Sequence, residues 1–254
     1  MKKLILFLVM GLSWTQLWAQ DTDTVQTSKL AYSYEDRNFR IPLIGEKAPA
    51  FIANSTNGVI SFPEDYGQHW KILFSHPKDF TPVCSTEILE LAHLQDQFDK
   101  LGVKLLVVST DRLETHVQWK KALESLKLDN RDLVKIKFPL IDDENIKVSK
   151  LYGMIHPETN STRSVRGVFI IDPNNVIQAI YFYPMNVGRS TDELIRMVNA
   201  LEISANQKVL TPANWNTGKD VLVRTPPKAA EGGNSTGLAG YYNPAWYLWF
   251  KKSN

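Results

Sequence analysis

One side chain in a short segment could do nucleophilic chemistry: Cys84, at the end of His76-Pro77-Lys78-Asp79-Phe80-Thr81-Pro82-Val83-Cys84, a stretch that also carries Pro77 and Thr81. Cys84 is the single cysteine of the 254-residue chain, so no internal disulfide can form. It is therefore a free thiol, an intermolecular crosslink or an inert core residue, and its neighbours decide among these. With Thr81 as helix cap and Pro82 as the first helical residue, Cys84 falls in the first helical turn. Unpaired backbone amides there favour a negative charge on sulfur, and a thiolate is the nucleophilic form.

The elements that must position this segment are legible around it. Trp70 to Ser75 is a mostly apolar run that suits a buried strand, and Pro77 and Pro82 punctuate the loop after it. Ile88, Leu91, Leu94, Phe98 and Leu101 recur at helical spacing, with Gly102 as the stop. Val103 to Val108 reads as a second buried strand and Thr115 to Leu126 as a second helix. This alternation predicts an α/β fold with a parallel core. Phe138 to Ile141 and Asn145 to Tyr152 repeat the theme more weakly. Val165 to Ile171 and Val176 to Phe182 flank Asp172-Pro173-Asn174-Asn175 and predict a hairpin. Ser190 and Glu193 form a capping box ahead of a further helix.

The segment resembles the peroxidatic motif of the peroxiredoxins, and the string Phe74-Ser75-His76-Pro77-Lys78-Asp79-Phe80-Thr81-Pro82-Val83-Cys84 is similar to their one-cysteine, peroxiredoxin six type subfamily. The resemblance runs from about Ile44 through Val223. It takes in Phe138-Pro139-Leu140-Ile141-Asp142-Asp143, Arg166-Gly167-Val168-Phe169, Tyr183-Pro184 with Gly188-Arg189, and Thr211-Pro212-Ala213-Asn214-Trp215. It implies a thioredoxin-like fold with a C-terminal extension arm and a thiol-dependent peroxidase that forms a Cys84 sulfenic acid. Thr81 would orient the peroxide and the thiolate, Pro77 would shield the sulfur, and Arg166 would stabilise the charge on it. His76 and Arg189 match family residues near the site and are supporting candidates. Arg163 lies three residues before Arg166, but only Arg166 directly precedes the Gly-Val-Phe strand.

Without a second cysteine, an external thiol must reduce the sulfenate, whether thioredoxin-like, glutathione or another. No bound cofactor is expected. His69, His76, His93, His116 and His156 show no metal-ligand spacing, so no metal is expected either. Some relatives carry a lipase serine before the first core strand, where this chain has His69, so phospholipase activity is not expected. A non-catalytic chaperone of the same fold is the rival reading. A thiol-disulfide oxidoreductase would need a Cys-x-x-Cys pair, which the sequence lacks.

The first residues read as an export signal: Lys2 and Lys3, the apolar run Leu4 to Met10, and Ala19 at a cleavage point. Removing residues 1–19 takes two lysines from the 29 basic residues and none of the 27 acidic ones, so the remaining chain is near neutral. Nucleic-acid binding, which depends on neutralising phosphates, has little support, and the apolar run is too short for stable membrane insertion. The division expected is a signal peptide at 1–19, a lead-in at 20–40, a peroxidase domain at 41–206 and a dimerisation arm at 207–254. The lysine-led signal points to a periplasmic enzyme. Sequons at Asn54, Asn160 and Asn234 would matter only in a eukaryotic secretory route. The aromatic tail from Tyr241 to Phe250 carries apolar surface that could dock on a sister subunit as a homodimer or larger ring, pack on its own domain, or sit at a membrane interface.

Overall fold

The computed structural model describes residues 40–224 and 239–253. The predicted signal peptide, nearly all of the lead-in, and the Asn234 sequon lie outside the described residues. Ten strands are described: β1 (Phe51–Ser55), β2 (Gly58–Phe62), β3 (Trp70–Ser75), β4 (Val103–Ser109), β5 (Leu140–Asp142), β6 (Arg166–Ile171), β7 (Ile177–Tyr183), β8 (Val221–Val223), β9 (Tyr241–Ala245) and β10 (Leu248–Lys251). The helices are α1 (Pro82–Lys100), α2 (Leu113–Glu124), α3 (Lys147–Leu151) and α4 (Thr191–Gln207).

Strands β1 to β7 form one sheet in the order β2-β1-β5-β4-β3-β6-β7. The parallel core expected from strand–helix alternation covers only β3, β4 and β5. The other pairings are antiparallel: β1–β2 and β6–β7 are hairpins that need no crossover, and β1–β5 and β3–β6 join these hairpins to the parallel core. All six residues of β3 are buried, with Ile72 and Phe74 in the cluster under α1 and α4 and Leu73 in the cluster on the opposite face. Helices cover one face around Ile88, Leu91, Trp119, Leu194 and Val198, while Tyr152, Met154 and Phe62 pack on the other. A strand covered on both sides reads as a continuous apolar run rather than an alternation.

Strands β8, β10 and β9 form a small antiparallel sheet, and Trp215, Val209 and Val221 pack against Ala200 of α4. The capping box at Ser190 is half realised. Ser190 Oγ accepts from the Glu193 N–H at 3.3 Å, whereas the Glu193 carboxylate turns to Arg196 Nε at 2.5 Å.

This topology brings the site together. Phe74 of β3 pairs with Val168 of the antiparallel β6, so the start of β6 lies at the same sheet edge as the end of β3. The loop from His76 to Thr81 leaves that edge, and Arg166 sits beside it. Ligand chemistry gathers at such strand ends in open α/β sheets.

Candidate active site

Cys84 is the third residue of α1, following the Thr81 cap and Pro82 in the first turn. Thr81 is extended, at φ −113° and ψ 149°, as the residue before a proline prefers. Thr81 occupies the N-cap position expected of it, although its side chain accepts no hydrogen bond from the helix amides. Thr81 Oγ1 instead donates to Lys78 O at 2.8 Å, which folds the loop on itself and leaves the hydroxyl lone pairs as acceptors. The first backbone bond of α1 runs from Ser85 N–H to Thr81 O at 3.0 Å, so the amides before it face the loop.

Cys84 has no solvent exposure and Arg166 is 2% exposed. Arg166 Nη1 lies 3.3 Å from Cys84 Sγ and donates to Glu87 Oε2 at 2.6 Å. The remainder of that guanidinium is fixed by Met185 O, which accepts from Nε at 2.9 Å and Nη2 at 2.6 Å. Arg166 pairs with Tyr183 across β6–β7, so the turn after β7 brings the Met185 carbonyl to it.

Arg189 completes the cluster. Glu87 Oε1 accepts from Arg189 N and Nε at 2.8 and 2.9 Å, and Glu87 Oε2 accepts from its Nη2 at 2.8 Å. Arg189 Nη1 donates to Ser75 O at 2.7 Å and Gly167 O at 2.9 Å, and its guanidinium lies 3.3 Å from the Phe74 ring centroid. Burial lowers the Arg189 pKa, with Glu87 opposing the shift. Two buried guanidiniums facing one carboxylate leave one positive charge over beside Cys84 Sγ. Arg163 is elsewhere: its Nη1 donates to Asp111 Oδ1 at 2.9 Å.

His76 is fully buried and its ring lies 5.0 Å from that of Trp119. Neither ring nitrogen has a well-formed hydrogen bond, and Nε2 sits 3.5 Å from Asp79 Oδ1. Burial, then the charges of His116, Arg189 and Arg166, hold its pKa well below 6.5. Pro77 is buried in the same loop.

Glu87 escaped the reading of the sequence, although a signal existed. It stands three residues after Cys84 on the helix face that also carries Ile88 and Leu91, and a carboxylate on a buried face needs partners.

A family model described as AhpC/TSA family matches residues 44–180, and one for the C-terminal domain of 1-Cys peroxiredoxin matches residues 200–234. The chain belongs to the peroxiredoxin family. A peroxiredoxin of Methanosarcina mazei is 45% identical over 193 residues, covering 75% of this chain and 87% of that one. Peroxiredoxin 2 of Caldanaerobacter subterraneus is 41% identical over 213 residues, with 84% and 94% covered. Among solved structures, the yeast mitochondrial 1-Cys peroxiredoxin superposes with a TM-score of 0.73 at 36% identity, over 84% of this chain and all (100%) of that one. Peroxiredoxin 6 of Arenicola marina gives 0.72 at 32% identity, over 84% of this chain and 99% of that one. This peroxiredoxin has the thioredoxin-like fold of its relatives with a C-terminal extension, and it is a thiol-dependent peroxidase. Its substrate is a peroxide and its electrons come from a thiol. Among the described residues, no helix is long and apolar enough to cross a membrane.

Proposed function

We propose that Cys84 is the peroxidatic nucleophile, with Arg166, Thr81 and Pro77 building the peroxide pocket and Arg189 and Glu87 holding Arg166 in place. One observation carries this: Arg166 Nη1 stands 3.3 Å from Cys84 Sγ while bound to buried Glu87. The thiolate attacks the terminal oxygen of ROOH, forming an S–O bond as the O–O bond breaks. The peroxide proton passes to the departing oxygen, which leaves as ROH or water. Sulfur loses two electrons and the peroxide gains them. Arg166 stabilises the charge as it moves from sulfur to oxygen, and it costs no reorganisation because Met185 O and Glu87 already fix it. The Thr81 lone pairs accept from the peroxide O–H.

An external thiol then attacks the oxidised sulfur, water leaves, and a second thiol releases Cys84 from the mixed disulfide. No bound cofactor enters this cycle. His76 contributes as a neutral, apolar-packed ring behind the loop.

The test is peroxide consumption driven by dithiothreitol. Wild type consumes peroxide, Cys84→Ser does not, and Arg166→Ala loses roughly 100-fold or more, as when a preorganised donor is removed from a developing charge. Wild-type rates in Arg166→Ala would remove that residue from its role.

The signal-like first 19 residues support export to the periplasm. Cell fractionation checks this, and a cytosolic pool alone would refute it. Residues 207–254 act as a homodimerisation arm. Support comes from Trp246 and Tyr247, which are 84% and 70% exposed at the turn between β9 and β10. Sedimentation of a Trp246→Ser/Tyr247→Ser variant should show weakened association, and an unaltered mass distribution would count against the arm.

A further inference from the structure

The loop between β3 and α1 carries Pro77 and Thr81; the His76 N–H to Val108 O bond at 3.0 Å ties its start to β4, and the Thr81 Oγ1 to Lys78 O bond at 2.8 Å folds its end. Its middle is anchored by side chains from other elements. Asp79 is 1% exposed, and its Oδ2 lies 2.7 Å from Nδ1 of fully buried His116 on α2. His116 Nε2 lies 3.0 Å from Ile141 O of β5, so that nitrogen bears a proton and the ring is fixed at both ends. The Asp79 N–H donates to Asp111 Oδ2 at 2.8 Å, and Ser164 Oγ donates to His76 O at 3.0 Å.

The residue after Asp79 shows why such anchoring is needed. Phe80 has φ of 54°, in the left-handed region, and is 56% exposed. That conformation disfavours a bulky residue by roughly tenfold in population, and it persists only where the surroundings impose it. Phe80 gains little from burial to compensate, with one ring contact of 6.4 Å to Trp119. Thr81 follows directly, so relaxation of Phe80 to negative φ would swing Thr81 away from Cys84.

We propose that the buried Asp79–His116 pair is a lock that keeps the strained Phe80 turn closed over Cys84, so that both residues position Thr81 for peroxide without touching it. The inference rests on the assignment of peroxide chemistry to Cys84. The lock acts through the loop, and its loss has a paired signature. Peroxide reacts more slowly because the pocket is no longer assembled, while a small alkylating agent reaches the otherwise buried sulfur faster.

The experiment compares two rate constants on the reduced protein, for hydrogen peroxide and for iodoacetamide, alongside the melting temperature. Asp79→Asn and His116→Gln should each lower the peroxide constant about tenfold and raise the iodoacetamide constant several-fold. Asp79→Asn/Phe80→Asn should recover most of the peroxide rate, because asparagine tolerates the left-handed region. Phe80→Ile, at an exposed position where folding is not at risk, should show the same split, since a β-branched residue resists positive φ more strongly. Peroxide and iodoacetamide constants that stay at wild-type values in Phe80→Ile, or that fall together in folded Asp79→Asn, would overturn the lock. A wild-type protein that forms no sulfenate on Cys84 would instead overturn the underlying assignment.

Discussion

Arg166 and Glu87 share their shortest contact, 2.6 Å, at the same guanidinium nitrogen that lies 3.3 Å from Cys84 Sγ. The carboxylate therefore aims the cation, and charge and geometry can be separated experimentally. Glu87→Gln removes the only negative side chain bonded to the two buried arginines among the described residues, which favours the thiolate further. It also puts an amide against guanidinium donors, so Arg166 is no longer held at its station. The peroxide rate constant should fall about 10- to 100-fold while the thiolate absorbance of Cys84 does not fall. Folding stability should drop by about 3 kcal/mol or more, as when one partner of a buried ion pair is lost. A parallel loss of thiolate would contradict this separation and show that the rate falls because Cys84 is less ionised.

Arg189 relies on the planar fork of its guanidinium. Four side-chain hydrogen bonds reach Glu87 twice, Ser75 O and Gly167 O, and the plane packs on Phe74. Arg189→Lys keeps the charge but cannot reproduce this set. Denaturant titration should show a loss of about 2 to 4 kcal/mol, and a change below about 0.5 kcal/mol would mean the network can re-form around an ammonium.

Thr81 offers a clean contrast between hydroxyl and shape. Thr81→Ser should keep the 2.8 Å bond to Lys78 O and most activity. Thr81→Val should lower the peroxide rate constant about 10- to 100-fold, with a stability cost of roughly 1 kcal/mol. Equal rates in the two variants would remove the hydroxyl from the mechanism.

His76 sets a pH dependence of stability. Its folded pKa lies well below 6.5, chiefly through burial. Between that depressed value and about 6.5 the unfolded chain binds a proton that the folded protein refuses, so stability rises with pH across this window and falls on acidification. The slope approaches about 1.4 kcal/mol per pH unit at most. Urea midpoints measured from pH 7 to pH 5 (roughly the window) should fall for wild type and fall less for His76→Phe. Identical slopes would show that His76 is not the group responsible.

Much of the molecule could be read from local pattern. Trp70 to Ser75 is a strand because both of its faces are covered, and its bounds coincide with β3. Thr81-Pro82 marks the start of α1, which puts Cys84 in the first turn. The β1–β2 hairpin was legible in principle from Asn57-Gly58, where Gly58 takes φ of 99°, but its flanking runs are short and weakly alternating. The β9–β10 hairpin turns at Trp246 and Tyr247, which carry no turn chemistry. Contacts between distant positions had no local signal. Glu87 meets Arg189 across 102 residues, and Asp79 meets His116 across 37. Their pairing is a product of topology, since α1, α2 and the start of β6 converge at one sheet edge.

The account stands most directly on the chemical fate of one sulfur. Reduced protein is treated with one equivalent of hydrogen peroxide per chain in the presence of a sulfenic-acid trap, then digested and examined by mass spectrometry. The trap should be found on the peptide containing Cys84, in near-stoichiometric yield and with matching loss of peroxide. Full peroxide loss with an unmodified Cys84 peptide, or undiminished turnover in Cys84→Ser, would contradict it.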